Sequence, residues 1–118
     1  MPERAKVFVA EDNLQYQGFI EKFLGRAGHT VVLKATTLDE AIEAIAQFET
    51  LGVQVATIDG NLSPNDDSGY DGHALVEAIS RHAPHVKTVG MSGLDIKGVT
   101  VDLGKRRIDK IGEVVTKL

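Results

Sequence analysis

Apolar and polar residues along this chain alternate between two rhythms: short continuous apolar runs, and longer stretches in which apolar residues return every three or four positions. Lys6-Val7-Phe8-Val9-Ala10 is a run of the first kind and predicts a strand. From Leu14 onward Phe19, Ile20, Phe23 and Leu24 recur at helical spacing, with Gly25 and Gly28 as the expected stop. Thr30-Val31-Val32-Leu33 is rich in the β-branched residues that suit a pleated sheet. Thr37 with Glu40 three residues later forms a capping box, and Ile42, Ile45 and Phe48 give the next helix its apolar face. Val53 to Ile58 is almost wholly apolar, as expected of a parallel strand covered on both faces. A loop rich in Gly, Asn, Asp, Ser and Pro runs from Gly60 to about Asp71. A helix from His73 to His82 then buries Leu75, Val76 and Ile79 and stops at Pro84. Val86 to Met91 and Val99 to Leu103 predict two further strands, and Ile108, Ile111, Val114, Val115 and Leu118 mark the inner face of a closing helix.

Strands and helices in strict alternation force right-handed crossovers, and hence a parallel sheet with helices on both faces, a doubly wound three-layer α/β fold. One crossover breaks the rule. The stretch from Ser92 to Val99 is shorter than the roughly ten to twelve residues a crossover helix needs, so the fourth helix is expected to be shortened or absent.

Composition narrows the picture. A chain of 118 residues, 42% hydrophobic and 25% charged, fits one globular domain spanning 1–118. No apolar run approaches the roughly 20 residues of a membrane span, and the start of the chain lacks the zones of a signal peptide. The absence of cysteine removes disulfide and thiolate chemistry and agrees with a cytoplasmic location. A formal charge of -4 argues against a nucleic-acid partner, since Lys105-Arg106-Arg107 is too short for a basic stripe and reads as a helix start. His29, His73, His82 and His85 form no ligand pattern and are assigned to the surface.

In an open parallel sheet the functional crevice lies beyond the carboxyl ends of the strands. Glu11 and Asp12 follow the first strand, Asp59 the third, Ser92 the fourth and Lys105 the fifth. Each has an ordinary reading when taken alone. Acidic residues favour a helix start, Asp-Gly-Asn is turn chemistry, and a loop serine or an exposed lysine requires no explanation. Together they converge on one edge. Three carboxylates there repel one another unless a hard divalent cation joins them, for which magnesium is the default. Such an ion, with an ammonium and a hydroxyl beside it, would stabilise a transferring phosphoryl group, with Asp59 as the attacking carboxylate.

At this point the motifs Val7-Phe8-Val9-Ala10-Glu11-Asp12-Asn13, Thr57-Ile58-Asp59-Gly60-Asn61-Leu62, Gly90-Met91-Ser92-Gly93 and Asp102-Leu103-Gly104-Lys105 resemble the response-regulator receiver family over essentially the whole chain. The resemblance implies a flavodoxin-like sheet of strand order 2-1-3-4-5 and a regulatory phospho-acceptor rather than an enzyme. It further implies that Asp59 takes the phosphoryl group and that Asp12 binds Mg2+ directly, with Glu11 acting mainly through water. The backbone carbonyl of Asn61 would complete the metal shell, Ser92 would bond a phosphoryl oxygen, and Lys105 would pair with the phosphate. The implied partners are a histidine kinase or histidine phosphotransfer protein and a downstream protein target. Three departures stand out. The loop after Asp59 is several residues longer than the family's. Arg106 replaces the proline expected after the lysine, which favours a trans bond because a non-proline cis bond costs about 3 kcal/mol. Asp102 replaces the family's switch aromatic. The lost aromatic, the missing proline and the shortened fourth crossover motivate a second reading, a degenerate receiver serving as a phosphorylation-independent interaction module. A third, a phosphatase with an aspartate nucleophile, lacks its general acid because Asn61 stands two residues after Asp59.

Overall fold

The computed structural model describes residues 4–59, 70–91, 96 and 98–118. Five parallel strands form one sheet in the order β2-β1-β3-β4-β5, with β1 at Lys6–Ala10, β2 at Thr30–Ala35, β3 at Val55–Ile58, β4 at Lys87–Gly90 and β5 at Val101–Asp102. Helices α1 (Leu14–Arg26) and α5 (Ile111–Thr116) contact each other, while α2 (Leu38–Ile45) contacts α4 (Tyr70–His82). A four-residue helix, α3 (Phe48–Leu51), follows α2, and a 3₁₀ segment (Lys105–Lys110) leads into α5.

Alternation along the strands sorts the core into two clusters, because successive side chains point to opposite faces. Phe8, Ala10, Ala56 and Ile58 join Ala41, Phe48, Leu75 and Ile79 on the α2 and α4 side. Val7, Val9, Val55, Val89 and Met91 join Ile20, Leu24, Ile111 and Val115 on the α1 and α5 side. Each fully buried large aliphatic contributes about 1.5–3 kcal/mol, so the central strands β1 and β3, apolar on both faces, anchor the molecule.

The local signals explain most element ends. Asn13 caps α1, its Oδ1 accepting from the amides of Gln15 (2.9 Å) and Tyr16 (3.1 Å). Thr37 Oγ1 accepts from Glu40 N, and Glu40 Oε1 accepts from both the amide and the hydroxyl of Thr36. The Thr36 amide and hydroxyl hold the Glu40 carboxyl below its usual range. Gly28, at φ 90°, makes the left-handed turn out of α1, whereas Gly25 lies within the helix rather than ending it.

Several boundaries move. The helix expected through Phe48 breaks after Ile45 and restarts as α3. Helix α4 begins at Tyr70, ahead of the expected His73, and takes buried Asp71 into its first turn. Strand β5 has only two residues, and reciprocal bonds between Thr88 and Thr100, amide to Oγ1 at 3.0 and 2.9 Å, extend its attachment to β4. The crossover expected to be shortened between β4 and β5 falls mostly on residues outside the described ones, as does most of the loop expected from Gly60 to about Asp71. No cis peptide occurs among the described residues, in line with the trans bond expected at Arg106.

The surface assignment of the histidines is corrected at His29, which is buried; His82 and His85 are exposed and His73 half-buried. His29 Nδ1 accepts from the Ala5 amide at 2.9 Å, and Nε2 lies 2.9 Å from Thr116 Oγ1 and 3.1 Å from the Gly112 carbonyl. The imidazole thereby ties the start of β1 to α5, a role that a sequence spacing rule for metal ligands does not detect. Among the described residues no helix is long and apolar enough to cross a membrane.

Candidate functional site

The first row of side chains past the sheet's carboxyl edge carries the acidic groups. Backbone bonds extend the ladder by one residue on each central strand: Glu11 N donates to Ala35 O (3.0 Å), Asp59 N to Ala10 O (2.9 Å) and Met91 N to Ile58 O (2.8 Å). This fixes the backbones of Glu11 and Asp59 side by side. Asp12 follows in the turn to α1, where Asn13 N donates to Glu11 Oε2 at 3.1 Å and Gln17 Nε2 donates to the carbonyls of Glu11 and Ala35.

Glu11, Asp12 and Asp59 each present a carboxylate oxygen, and the three atoms all lie within 4.8 Å of one another. Glu11 and Asp59 are 1% and 2% exposed, while Asp12 is exposed, so the cluster opens to solvent through Asp12. Burial first, and then the hydrogen bond and charge of Asp59, push the Glu11 carboxyl up to about 9. Such a shift records the cost of gathering like charges out of water. The donor set fits a hard divalent cation: oxygen atoms only, from three carboxyl groups, with one ligand at the solvent mouth.

Two residues expected at the site, Asn61 and Ser92, lie outside the described residues, as do Gly93 and the side chain of Lys105. The backbone of Lys105 opens the 3₁₀ segment directly after Gly104, whose amide bonds Gly90 O at the end of β4. Asp102, at the position expected for an aromatic, pairs with Gly90 in the sheet, and its Oδ1 is 3.0 Å from where a Cβ on Gly90 would stand. Gly90 therefore makes room for a carboxylate beside the strand. Sequence reasoning passed over Thr57, whose buried hydroxyl lies in the strand leading to Asp59. A threonine where both sheet neighbours are valine was the available signal.

No protein-family model and no curated protein matches the sequence. Solved structures match the fold. The signal receiver domain of NarL from Mycobacterium tuberculosis is 21% identical, with a TM-score of 0.72 over 98% of each chain. A chain of the CheX–CheY–BeF3–Mg2+ complex from Borrelia burgdorferi is 14% identical, with a TM-score of 0.70 over 94% of this chain and 88% of that one. NtrX from Brucella abortus, solved with ADP, is 21% identical with a TM-score of 0.74; the match covers 97% of this chain but only 26% of NtrX, so this chain spans about a quarter of that protein's length. The fold is thus the flavodoxin-like, doubly wound sandwich with strand order 2-1-3-4-5. More narrowly, it is the fold of response-regulator receiver domains.

Proposed function

We propose that the chain is a single receiver domain, spanning 1–118, that accepts a phosphoryl group on Asp59 from a histidine kinase or histidine phosphotransfer protein in the cytoplasm. The observation that carries this reading is the convergence of Glu11, Asp12 and Asp59 within 4.8 Å at the carboxyl edge of the sheet. Glu11 and Asp12, with the Asn61 carbonyl, would hold Mg2+ against Asp59. The CheX–CheY complex, whose fold this chain shares, was solved with BeF3 and Mg2+. A bound magnesium ion supplies charge compensation for the phosphoryl oxygens.

The chain's own groups divide the remaining work. An Asp59 carboxylate oxygen attacks phosphorus and forms the new O–P bond. The P–N bond of the donor phosphohistidine breaks, leaving its electron pair on the imidazole, which takes up a proton. Lys105 would neutralise phosphoryl charge and Ser92 would donate to a phosphoryl oxygen. Because Asp59 is 2% exposed, the donor has to approach from the strand ends. The product is a signal passed to a downstream protein, and turnover is limited to the domain's own phosphotransfer and dephosphorylation.

Incubation with Mg2+ and acetyl phosphate, followed by intact-mass measurement, tests the reading. One phosphoryl group is expected on the wild-type protein and none on Asp59→Asn or in excess chelator. A wild-type mass that never changes would overturn the proposal and favour the interaction-module reading, for which Asp102 in the aromatic's place is the specific motive.

A further inference from the structure

Thr57 is fully buried on β3, and its Oγ1 makes no hydrogen bond among the described residues. Its place in the sheet is well defined. Ala56 and Ile58 belong to the α2 and α4 side of the core and Val55 to the α1 and α5 side, so Thr57 points toward α1 and α5. Its sheet neighbours are Val9 on β1 and Val89 on β4. One step further along the same face come Glu11, Asp59 and Met91. The hydroxyl therefore sits in the row directly beneath the two buried carboxylates.

Valine has the same shape as threonine, matches both neighbours and buries no polar atom. A hydroxyl without a partner in that row would be a net cost, since an unsatisfied buried donor loses its hydration for nothing. Native interiors resolve such cases with internal water held by two to four polar groups. The polar groups available lie in the next row, about 6.6 Å along the strand, a span that two hydrogen bonds through one water cover once side chains lean toward each other.

We propose that the Thr57 hydroxyl anchors an internal water beneath Glu11 and Asp59, and that this water forms the floor of the cation site. The water accepts the Thr57 hydroxyl hydrogen and donates its own hydrogens to carboxylate oxygens, fixing their orientation toward the strand ends. Thr57 is then a positioning residue, acting through the carboxylates rather than on the reacting atoms. This role rests on the reading of the acidic cluster as a cation site, whereas the water itself does not.

Two measurements on wild type, Thr57→Val and Thr57→Ser test it. In chelator, Thr57→Val is expected to melt no higher than wild type, because it forfeits a satisfied hydroxyl. In Mg2+ titrations followed by NMR, Thr57→Val is expected to lose about tenfold in affinity, the lower end of losses seen when a ligand's supporting partner is removed, and Thr57→Ser to keep it. A higher melting temperature for Thr57→Val would remove the water, and an unchanged Mg2+ affinity would remove the positioning role. If wild type itself ignored Mg2+, the cation reading would fall while the melting comparison still decided the water.

Discussion

Two buried polar clusters lie on the same side of the sheet, at opposite ends of α1, and they are built on opposite principles. At the amino edge, His29 is closed by the protein's own atoms: the Ala5 amide on Nδ1, and Thr116 Oγ1 and the Gly112 carbonyl on Nε2. Because Nδ1 accepts, the ring holds its hydrogen on Nε2, and Thr116 Oγ1 in turn donates to the Gly112 carbonyl at 2.9 Å. Donors and acceptors balance, and the cluster fixes α5 against β1. Gly112 permits this close packing, since a Cβ there would stand 2.7 Å from the Ala27 Cβ. At the carboxyl edge, Glu11 and Asp59 bring like charges together and the Glu11 carboxyl is driven up to about 9. The first cluster is complete without a visitor. The second gathers carboxyl groups that a cation would draw together, and that difference separates a polar group closed by the protein itself from one that could take a ligand.

The contrast is sharpest in its response to pH and Mg2+. A carboxyl whose folded value lies above its ordinary 4.5 stabilises the folded state while protonated. That contribution is present below 4.5 and is lost as pH rises through about 9. In chelator the melting temperature is therefore expected to fall between pH 5 and pH 9 by on the order of 10 °C, equivalent to more than about 2 kcal/mol. Mg2+ should reverse most of the fall, with its stabilising effect growing as pH rises. Thermal melts at several pH values check this, and a Mg2+ effect equal at pH 5 and pH 9 would break the comparison from the carboxyl-edge side.

A smaller effect is expected at the other end. His29→Ala removes the imidazole's hydrogen bonds and leaves a small cavity, costing about 2–3 kcal/mol, while Mg2+ affinity stays within about twofold of wild type by the same NMR titration. Coupled loss of both would show that the two clusters are not independent. Smallest is Gly18→Ala, on the solvent side of α1 between them, where an added Cβ meets nothing within 4 Å. Denaturant melts should register a gain of about 0.5–1 kcal/mol, with both clusters unaffected.

The alternation of apolar runs made β1 legible to the residue and β3 at its carboxyl end, because strands buried on both faces leave no choice of amphipathic pattern, although β3 starts at Val55 rather than the expected Val53. Edges were less legible. Strand β5 shrank to two residues because part of its hold on β4 comes from the Thr88 and Thr100 hydroxyls, a pairing that propensity does not encode. The break between α2 and α3 has no proline or glycine to announce it. At the site, Glu11, Asp12 and Asp59 were legible because strand ends in this topology must share one edge. His29 and Thr57 were not, because polar side chains are exposed by default and only their neighbours reveal otherwise.

By itself, then, the sequence determined which residues are apolar in which rhythm, and so the number of strands, their parallel sense and the edge where chemistry collects. Tertiary structure alone decided which polar side chains were taken out of water and what met them there. The rhythm is a local property of the chain, whereas the closure of His29 and the crowding of Glu11 against Asp59 arise between residues 83 and 48 positions apart, through contacts that exist only once the sheet has formed.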